Sequence, residues 1–433
     1  MIDRWECSLI RERGNKWLLV YGRRKTGKTW LLRRCSGWSL YATVTRDMEC
    51  IVERREAGAR LSTFRECMRE VAAELRRGGA RVIIDEFQRL PDRYWEVVAS
   101  ASWEAEAGLV LCGSSMGLAR RVFDRRSPLL GLLEPLRVDL AAVEDTVASL
   151  ASWGLKAVEA VTWAIVARDP WLLRHLEPRG EPWRALAAEA PRLIPSAQGL
   201  VGEVFEEEER QLTRLYDAVL RLLAKGYWRA ADIAARLYDA GLSTSPSPGA
   251  ATGVLAVLEE LGLVEKLPLW RTRRSRRYYR HRSSLVSLLY AFADQSEELG
   301  LPPSPEQVRA RYGVELAFNI GEMLAYAKSL ARGYSIQRER DIDVVLLDRR
   351  GRALWGYEAK MGSIGSAEAE ELAKWLHGLG IPHAGVVALM GVKGRSPRGL
   401  DEILDAASML ELAERLREKR RRETKKPRRS GEG

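Results

Sequence analysis

Through the first third of the chain, short apolar runs closed by glycine or acidic residues alternate with helical patterns. Residues 17–21 (Trp-Leu-Leu-Val-Tyr) run apolar up to Gly22 and predict a buried strand. Comparable runs follow at 39–44, at 81–84 before Asp85-Glu86, at 108–113 and at 136–140. Helical spacing fills the intervals 28–36, 47–57, 62–77 and 93–105. Strands alternating with helices in this way predict a parallel sheet covered on both faces.

The pattern then changes. Residues 142–200 read as helical, rich in Ala, Leu and Trp and punctuated by Pro170, Pro178, Pro182, Pro191 and Pro195. Three helical segments follow at about 211–225, 229–240 and 248–261, then a strand at 263–267 and an Arg-rich stretch containing Tyr278 and Tyr279. Three helices followed by a hairpin is the order of a winged helix-turn-helix. Residues 299–305 (Leu-Gly-Leu-Pro-Pro-Ser-Pro) mark a linker. Beyond them the pattern predicts a helix at 313–331, strands at 341–348 and 353–360, a helix at 366–378 and a strand at 384–390. After Leu416 apolar residues nearly vanish, which predicts a disordered tail or a frayed helix extension. No internal repeat is present.

Length and composition narrow the class. A chain of 433 residues exceeds what one core holds and implies roughly two to four domains. With 46% apolar and 30% charged residues, a wholly disordered or collagen-like chain is excluded. No apolar run approaches the ~18–20 residues that cross a bilayer, and the first residues lack the basic-then-apolar layout of a signal peptide. Cys7, Cys35, Cys50, Cys67 and Cys112 are odd in number and include no C-x-x-C pair, so neither a disulfide framework nor a zinc site is expected. These features together predict a cytoplasmic protein without a membrane partner. Only two asparagines occur, Asn15 and Asn319, which is compatible with heat adaptation.

The strongest chemical signal is Gly22-Arg23-Arg24-Lys25-Thr26-Gly27-Lys28-Thr29, placed directly after a predicted strand and before a helix. It fits G-x-x-x-x-G-K-[ST] in the context that motif requires. Glycines let the backbone wrap close to a polyphosphate, and successive N–H groups meet its charge. Lys28 is placed for the β- and γ-phosphates and the Thr29 hydroxyl for Mg²⁺. Ile83-Ile84-Asp85-Glu86 supplies the partner: Asp85 for the Mg²⁺ shell and Glu86 as the base that polarises a water. Ser114, at the end of the next strand, is a candidate for sensing the γ-phosphate or orienting that water.

These stretches carry a resemblance. Val20-Tyr-Gly-Arg-Arg-Lys-Thr-Gly-Lys-Thr29, Ile84-Asp-Glu-Phe-Gln88 and Leu111-Cys-Gly-Ser-Ser115 resemble the archaeal AAA-type P-loop ATPases. The resemblance spans nearly the whole chain and implies a winged helix and a C-terminal restriction-endonuclease-like domain. Two departures stand out. Where the family often has Pro-Leu-Tyr-Gly-Arg, this chain has Pro128-Leu-Leu-Gly-Leu132, so an arginine suited to sensing nucleotide is missing. Arg120, Arg121, Arg125 and Arg126 lie close by in sequence. A Gly-Gly-x-Pro turn is likewise replaced by Ala167-Arg-Asp-Pro170.

The C-terminal third adds a second chemistry. Asp341-Ile-Asp343 and Trp355-Gly-Tyr-Glu358-Ala-Lys360 follow the pattern of PD-(D/E)xK nucleases. Period-two alternation puts Glu358 and Lys360 on one face. Asp343 and Glu358 would hold a hard divalent cation, and that cation with Lys360 would activate a water. Glu322, at the start of a helix, is the candidate outer ligand, with Glu315 the alternative. His377 and His383 lack ligand spacing.

The net charge of +11 is concentrated. Residues 415–429 hold ten basic and two acidic side chains, and residues 271–282 hold seven arginines and no acid, leaving the remainder slightly acidic. In the expected wing, Arg271, Arg273, Arg274, Arg276, Arg277 and Arg280 are candidates for nucleic-acid contact. Residues 250–260, the expected recognition helix, are Ala/Leu-rich and end in Glu259-Glu260, so DNA binding should be largely sequence-nonspecific.

The resulting expectation is a multidomain α/β protein. Residues 1–141 form a P-loop ATPase core with a parallel sheet, 142–204 a helical lid and 205–285 a winged helix-turn-helix. Residues 286–312 are a linker, 313–412 a mixed α/β restriction-endonuclease-like domain and 413–433 a basic disordered tail. The expected activity is ATP hydrolysis with Mg²⁺ on or with DNA, joined by metal-dependent nuclease chemistry; the alternative is a non-cleaving nucleotide switch. Assembly into a homo-oligomer is left open.

Overall fold

The computed structural model describes residues 1–208, 210–272, 276–336 and 340–425. They divide into two compact units. The first comprises Arg4–Leu140, Glu203–Gln211 and the residues from Arg420 on; the second comprises Met1–Asp3, Ala141–Gly202 and Leu212–Lys419.

In the first unit the elements run α1 (Trp5–Glu12), β1 (Leu18–Tyr21), α2 (Lys28–Cys35), β2 (Trp38–Val44), β3 (Glu49–Arg54) and β4 (Gly58–Thr63). They continue with α3 (Phe64–Arg77), β5 (Arg81–Asp85), α4 (Trp95–Ala101), β6 (Leu109–Gly113), α5 (Gly117–Val122) and β7 (Glu134–Arg137). The seven strands form one sheet in the order β4-β3-β2-β5-β6-β1-β7. The five strands from β2 to β7 are parallel, and β3 and β4 add an antiparallel edge. Strand alternation sorts the core into two layers. Leu19, Ile84 and Leu111 pack on one face against α3 and α4, while Val20, Ile83 and Val110 pack on the other against α1 and α2.

Two expectations fail in this unit. The helix expected over 47–57 is a hairpin instead, because Cys50 and Val52 alternate into the core while β3 pairs along β2. Tertiary pairing overrides the helical propensity of its glutamates. The cysteines, too, read differently: Cys7 of α1 and Cys35 of α2 form a disulfide with Cα atoms 5.3 Å apart. A separation of 28 residues carries no spacing signature, and only the packing of α1 beside α2 brings the thiols together. Cys50, Cys67 and Cys112 are buried free thiols.

The second unit begins with α6 (Val143–Ser152), α7 (Ala157–Ala167) and α8 (Pro182–Glu207), whose residues up to Gly202 belong to it. Three further helices, α9 (Arg214–Ala224), α10 (Ala230–Asp239) and α11 (Pro248–Glu260), precede a hairpin of β8 (Val264–Pro268) and β9 (Arg277–His281). The 286–312 stretch expected as a linker is largely helical, in α12 (Ser284–Ala291), α13 (Ala293–Leu299) and the start of α14 (Pro305–Lys328). A capping box explains the early start of α14: Ser304 Oγ accepts from the Gln307 N–H, and Gln307 accepts from the Ser304 N–H.

A five-stranded sheet follows, from β10 (Ala331–Ser335), β11 (Ile342–Leu347) and β12 (Ala353–Lys360). After the short β13 (Ile364–Gly365) come α15 (Ser366–Gly378), β14 (His383–Ala388), β15 (Val392–Lys393) and β16 (Glu402–Leu404). The order of the larger sheet is β10-β11-β12-β14-β16, antiparallel over its first three strands and parallel thereafter. Of the two expectations for the tail, disorder or a helix extension, its described part follows the second: α16 runs from Ala406 to Lys425. Within it Arg417 pairs with Asp3, and the Lys419 ammonium lies 5.0 Å from the Tyr326 ring centre. None of the described helices is long and apolar enough to cross a membrane.

Candidate nucleotide site

The order β5-β6-β1 sets three parallel strands side by side, so their carboxyl ends open at one edge of the sheet. The loop 22–27 leaves β1, Asp85-Glu86 ends β5, and Ser114 follows β6. Residues far apart in sequence therefore meet.

The loop needs its glycines. At Gly22 a Cβ would stand 2.0 Å from the Val138 carbonyl oxygen, and Gly27 has φ +90°. Lys25 also adopts a left-handed conformation, with φ +61°. Thr26 is buried and its hydroxyl donates to the Arg23 carbonyl at 2.9 Å. The Lys28 ammonium donates to the carbonyls of Gly22 and Arg23 at 2.8 and 2.9 Å, and burial pulls its pKa below the ordinary lysine range. Arg4, which no motif singled out, braces the loop: its guanidinium donates to the Thr26 carbonyl at 2.8 Å and the Asp139 carbonyl at 2.9 Å. Arg23 is itself buried.

The Thr29 hydroxyl donates to Asp85 Oδ2 at 2.9 Å, and Tyr41 from β2 donates to the same oxygen at 2.6 Å. The two residues suited to Mg²⁺ are thus in contact before any ion is considered. An exposed hydroxyl beside a carboxylate fits Mg²⁺, which keeps several waters and takes few protein ligands. Glu86 has φ +58° and ψ +35°, a sparsely populated conformation for a non-glycine residue and one concentrated at functional sites. Its carboxylate accepts from Gln88 Nε2 at 2.8 Å and lies 3.4 Å from Ser114 Oγ.

Gln88 was not anticipated as a site residue, nor were Arg89 and the end of α8. Gln88 Nε2 also contacts Ser114 Oγ at 3.0 Å and Glu207 at 2.7 Å, and Arg89 donates to Glu207 at 2.9 Å. Arg24 of the loop donates to Glu203 at 2.7 Å and pairs with Glu207. Burial pushes Glu207 upward, yet the Gln88 hydrogen bond and the charges of Arg89 and Arg24 hold it below the ordinary carboxylate range. A sequence signal existed in the acidic run 206–209, since carboxylates at a helix C-terminus oppose its dipole and call for cations.

In the second unit, register places Asp343 opposite Glu358, because Val344 pairs with Tyr357. Asp343 accepts from the Ala359 N–H at 2.8 Å, and burial together with the facing Glu358 pushes its carboxyl up to about 6. Glu358 pairs with Arg340 at 3.1 Å, and Lys360 pairs with Glu368. The expected third ligand is not there. Glu322 is held by Arg168, Arg282 and Arg332 at 2.6, 2.8 and 3.7 Å, and Glu315 pairs with Arg280. Among the described residues no group of three or more His, Cys, Asp or Glu side chains is placed to hold a metal ion.

The hairpin arginines divide. Arg280, expected at a nucleic-acid surface, is only 7% exposed. It spends its guanidinium on Glu265 at 2.7 Å and on Glu315, lying 3.9 Å from the Phe318 ring centre. Arg271 donates to the Leu379 carbonyl, whereas Arg276 and Arg277 are exposed. Arg273 and Arg274 lie outside the described residues. Tyr278 anchors the hairpin, stacked on Tyr334 with ring centres 3.8 Å apart.

No protein-family model and no curated protein matches the chain. Among solved structures, it is similar to the ORC2 protein of Aeropyrum pernix, described in ADPNP–ADP complexes. Identity is 14%, with 68% of this chain and 93% of that one covered, at a TM-score of 0.39. Similarity to the ORC1 protein of Aeropyrum pernix in complex with DNA covers 68% of this chain and 91% of that one, at 16% identity and a TM-score of 0.31. A signal-transduction ATPase with numerous domains and a tetratricopeptide repeat sensor, from Pyrococcus horikoshii, is similar over 76% of this chain and 47% of its own, at 14% identity and a TM-score of 0.30. At such scores the reading of this chain rests on its own strand order and loop geometry.

Proposed function

We propose that the chain binds ATP with Mg²⁺ at residues 22–29 and hydrolyses it, acting with DNA. One observation carries the reading: loop, Asp85, Glu86 and Ser114 converge at the carboxyl ends of adjacent parallel strands, with Thr29 already hydrogen-bonded to Asp85. Loop amides and Lys28 would hold the phosphates, Thr29 and Asp85 the Mg²⁺, and Glu86 would take the proton of the attacking water. ATP binding and phosphate release in wild type, Lys28→Ala and Glu86→Gln test it. Lys28→Ala should lose binding, and Glu86→Gln should keep binding while turnover falls by about 10²–10⁴. Unchanged turnover in both variants overturns the assignment.

A second reading concerns Asp343, Glu358 and Lys360. Two facing carboxylates, one of them pushed up to about 6, are relieved by a divalent cation that takes oxygen donors. On this reading the cation and Lys360 act on a DNA phosphodiester. Cleavage by wild type with Mg²⁺ or Mn²⁺ should disappear in Lys360→Ala. If wild type cuts no DNA form, with or without ATP, the chain is instead a nucleotide switch whose C-terminal sheet only binds.

A further inference from the structure

The last two turns of α8 and the residue after it carry Glu203, Glu206, Glu207 and Glu208. A helix C-terminus already bears partial negative charge, so carboxylates there are unfavourable unless cations face them. Here the facing cations are those of the nucleotide site. Arg24 reaches Glu203 and Glu207, Lys25 lies 3.2 Å from Glu203, and Arg89 joins Glu207 at 2.9 Å to Glu86 at 3.1 Å. Glu208 accepts from the backbone N–H groups of Met116 and Gly117, directly behind Ser114 and Ser115. Arg46 lies 3.7 Å from Glu206.

Two of these cations belong to the phosphate loop itself, and Gln88 and Arg89 touch the residue assigned as base. A polyphosphate brings several negative charges to the same place. In a partly buried site, like charges repel strongly, so carboxylates and phosphates cannot share these partners at full strength.

We infer that residues 203–208 form an acidic latch on the nucleotide loop, which the phosphate chain of ATP displaces as it competes for Arg24, Arg89 and Gln88. The latch therefore restrains ATP binding and keeps Glu86 hydrogen-bonded within the protein until nucleotide arrives. This inference rests on the nucleotide reading above.

The test measures ATP affinity, with Mg²⁺, of full-length wild type, Glu207→Gln and the double variant Glu203→Gln/Glu207→Gln, with Lys28→Ala as control. Neutralising Glu207 weakens its charge-assisted bonds to Arg24 and Arg89, so Glu207→Gln should bind ATP about tenfold more tightly, and the double variant, which also releases Lys25, more tightly still. If wild type binds ATP and the variants bind it equally or more weakly, the latch is overturned and the nucleotide site stands. If neither wild type nor any variant binds ATP, the nucleotide reading fails and the latch with it. Hydrogen exchange in wild type is the second measurement, independent of whether the variants fold. Backbone amides of 203–208 should exchange faster when ATP is added, and unchanged or slower exchange overturns the latch.

Discussion

His281 shows how a single buried side chain couples the hairpin to solution pH. Its Nε2 lies 2.8 Å from the Leu220 carbonyl, which fixes the proton on that nitrogen, and burial pulls its pKa from 6.5 down to about 4. Between those values the folded chain leaves the ring neutral while the unfolded chain protonates it. The unfolded state then binds more protons, so this stabilisation is full above pH 6.5 and is lost as pH falls toward 4. The whole effect is on the order of 3 kcal/mol. In His281→Gln, the loss of unfolding free energy between pH 6.5 and 4 should be smaller than in wild type by that order. Denaturant titrations at several pH values measure it, and parallel curves for the two proteins refute it. At the loop 22–29, the crowded backbone of Gly22, the left-handed turn at Gly27 and the place of Lys28 and Thr29 at the start of α2 were legible from spacing alone, because a tight strand-to-helix turn sets fixed demands on its backbone. Arg4 and Gln88 were not, since bracing a carbonyl or sharing a glutamate leaves no spacing rule.

Among the elements, the β8–β9 hairpin separates charge that holds structure from charge that is free to meet a partner. Arg280 neutralises Glu265 and Glu315 in the interior, so Arg280→Met leaves buried Glu315 without its cation. That change should destabilise the protein by about 3–5 kcal/mol, the cost of breaking a buried pair, with little effect on DNA affinity while the chain stays folded. Replacing exposed Arg276 and Arg277 by Ala should do the reverse: stability within about 0.5 kcal/mol of wild type, and a log–log salt slope for DNA binding flatter by about 0.9 per lost phosphate contact. Denaturant midpoints beside DNA titrations at several salt concentrations decide between the two roles. Elements with strong periodicity, such as α3, β5, β12 and α15, were readable along the chain. The β3–β4 hairpin was not, because pairing with β2 decides it, and the onset of α14 was masked by Pro302 and Pro303 just before its capping box and Pro305 just inside it.

For the whole molecule, the sequence charge overstates the surface offered to a polyanion. Seven arginines in 271–282 read as one basic stripe, yet Arg280 and Arg282 are committed to internal carboxylates. The acidic groups that looked free to hold metal, Glu315 and Glu322, are the other half of that arrangement. Opposite charges far apart in sequence cancel only once the fold is known, and no local pattern reports it. The cysteines teach the same lesson, with a further result. The Cys7–Cys35 bridge closes a covalent ring containing β1, residues 22–29 and all of α2. Every peptide bond of residues 22–29 is therefore spanned by a second path through sulfur. A protease that cuts between Arg23 and Lys28 opens the ring without parting the chain, and the two pieces separate only when the bridge is reduced.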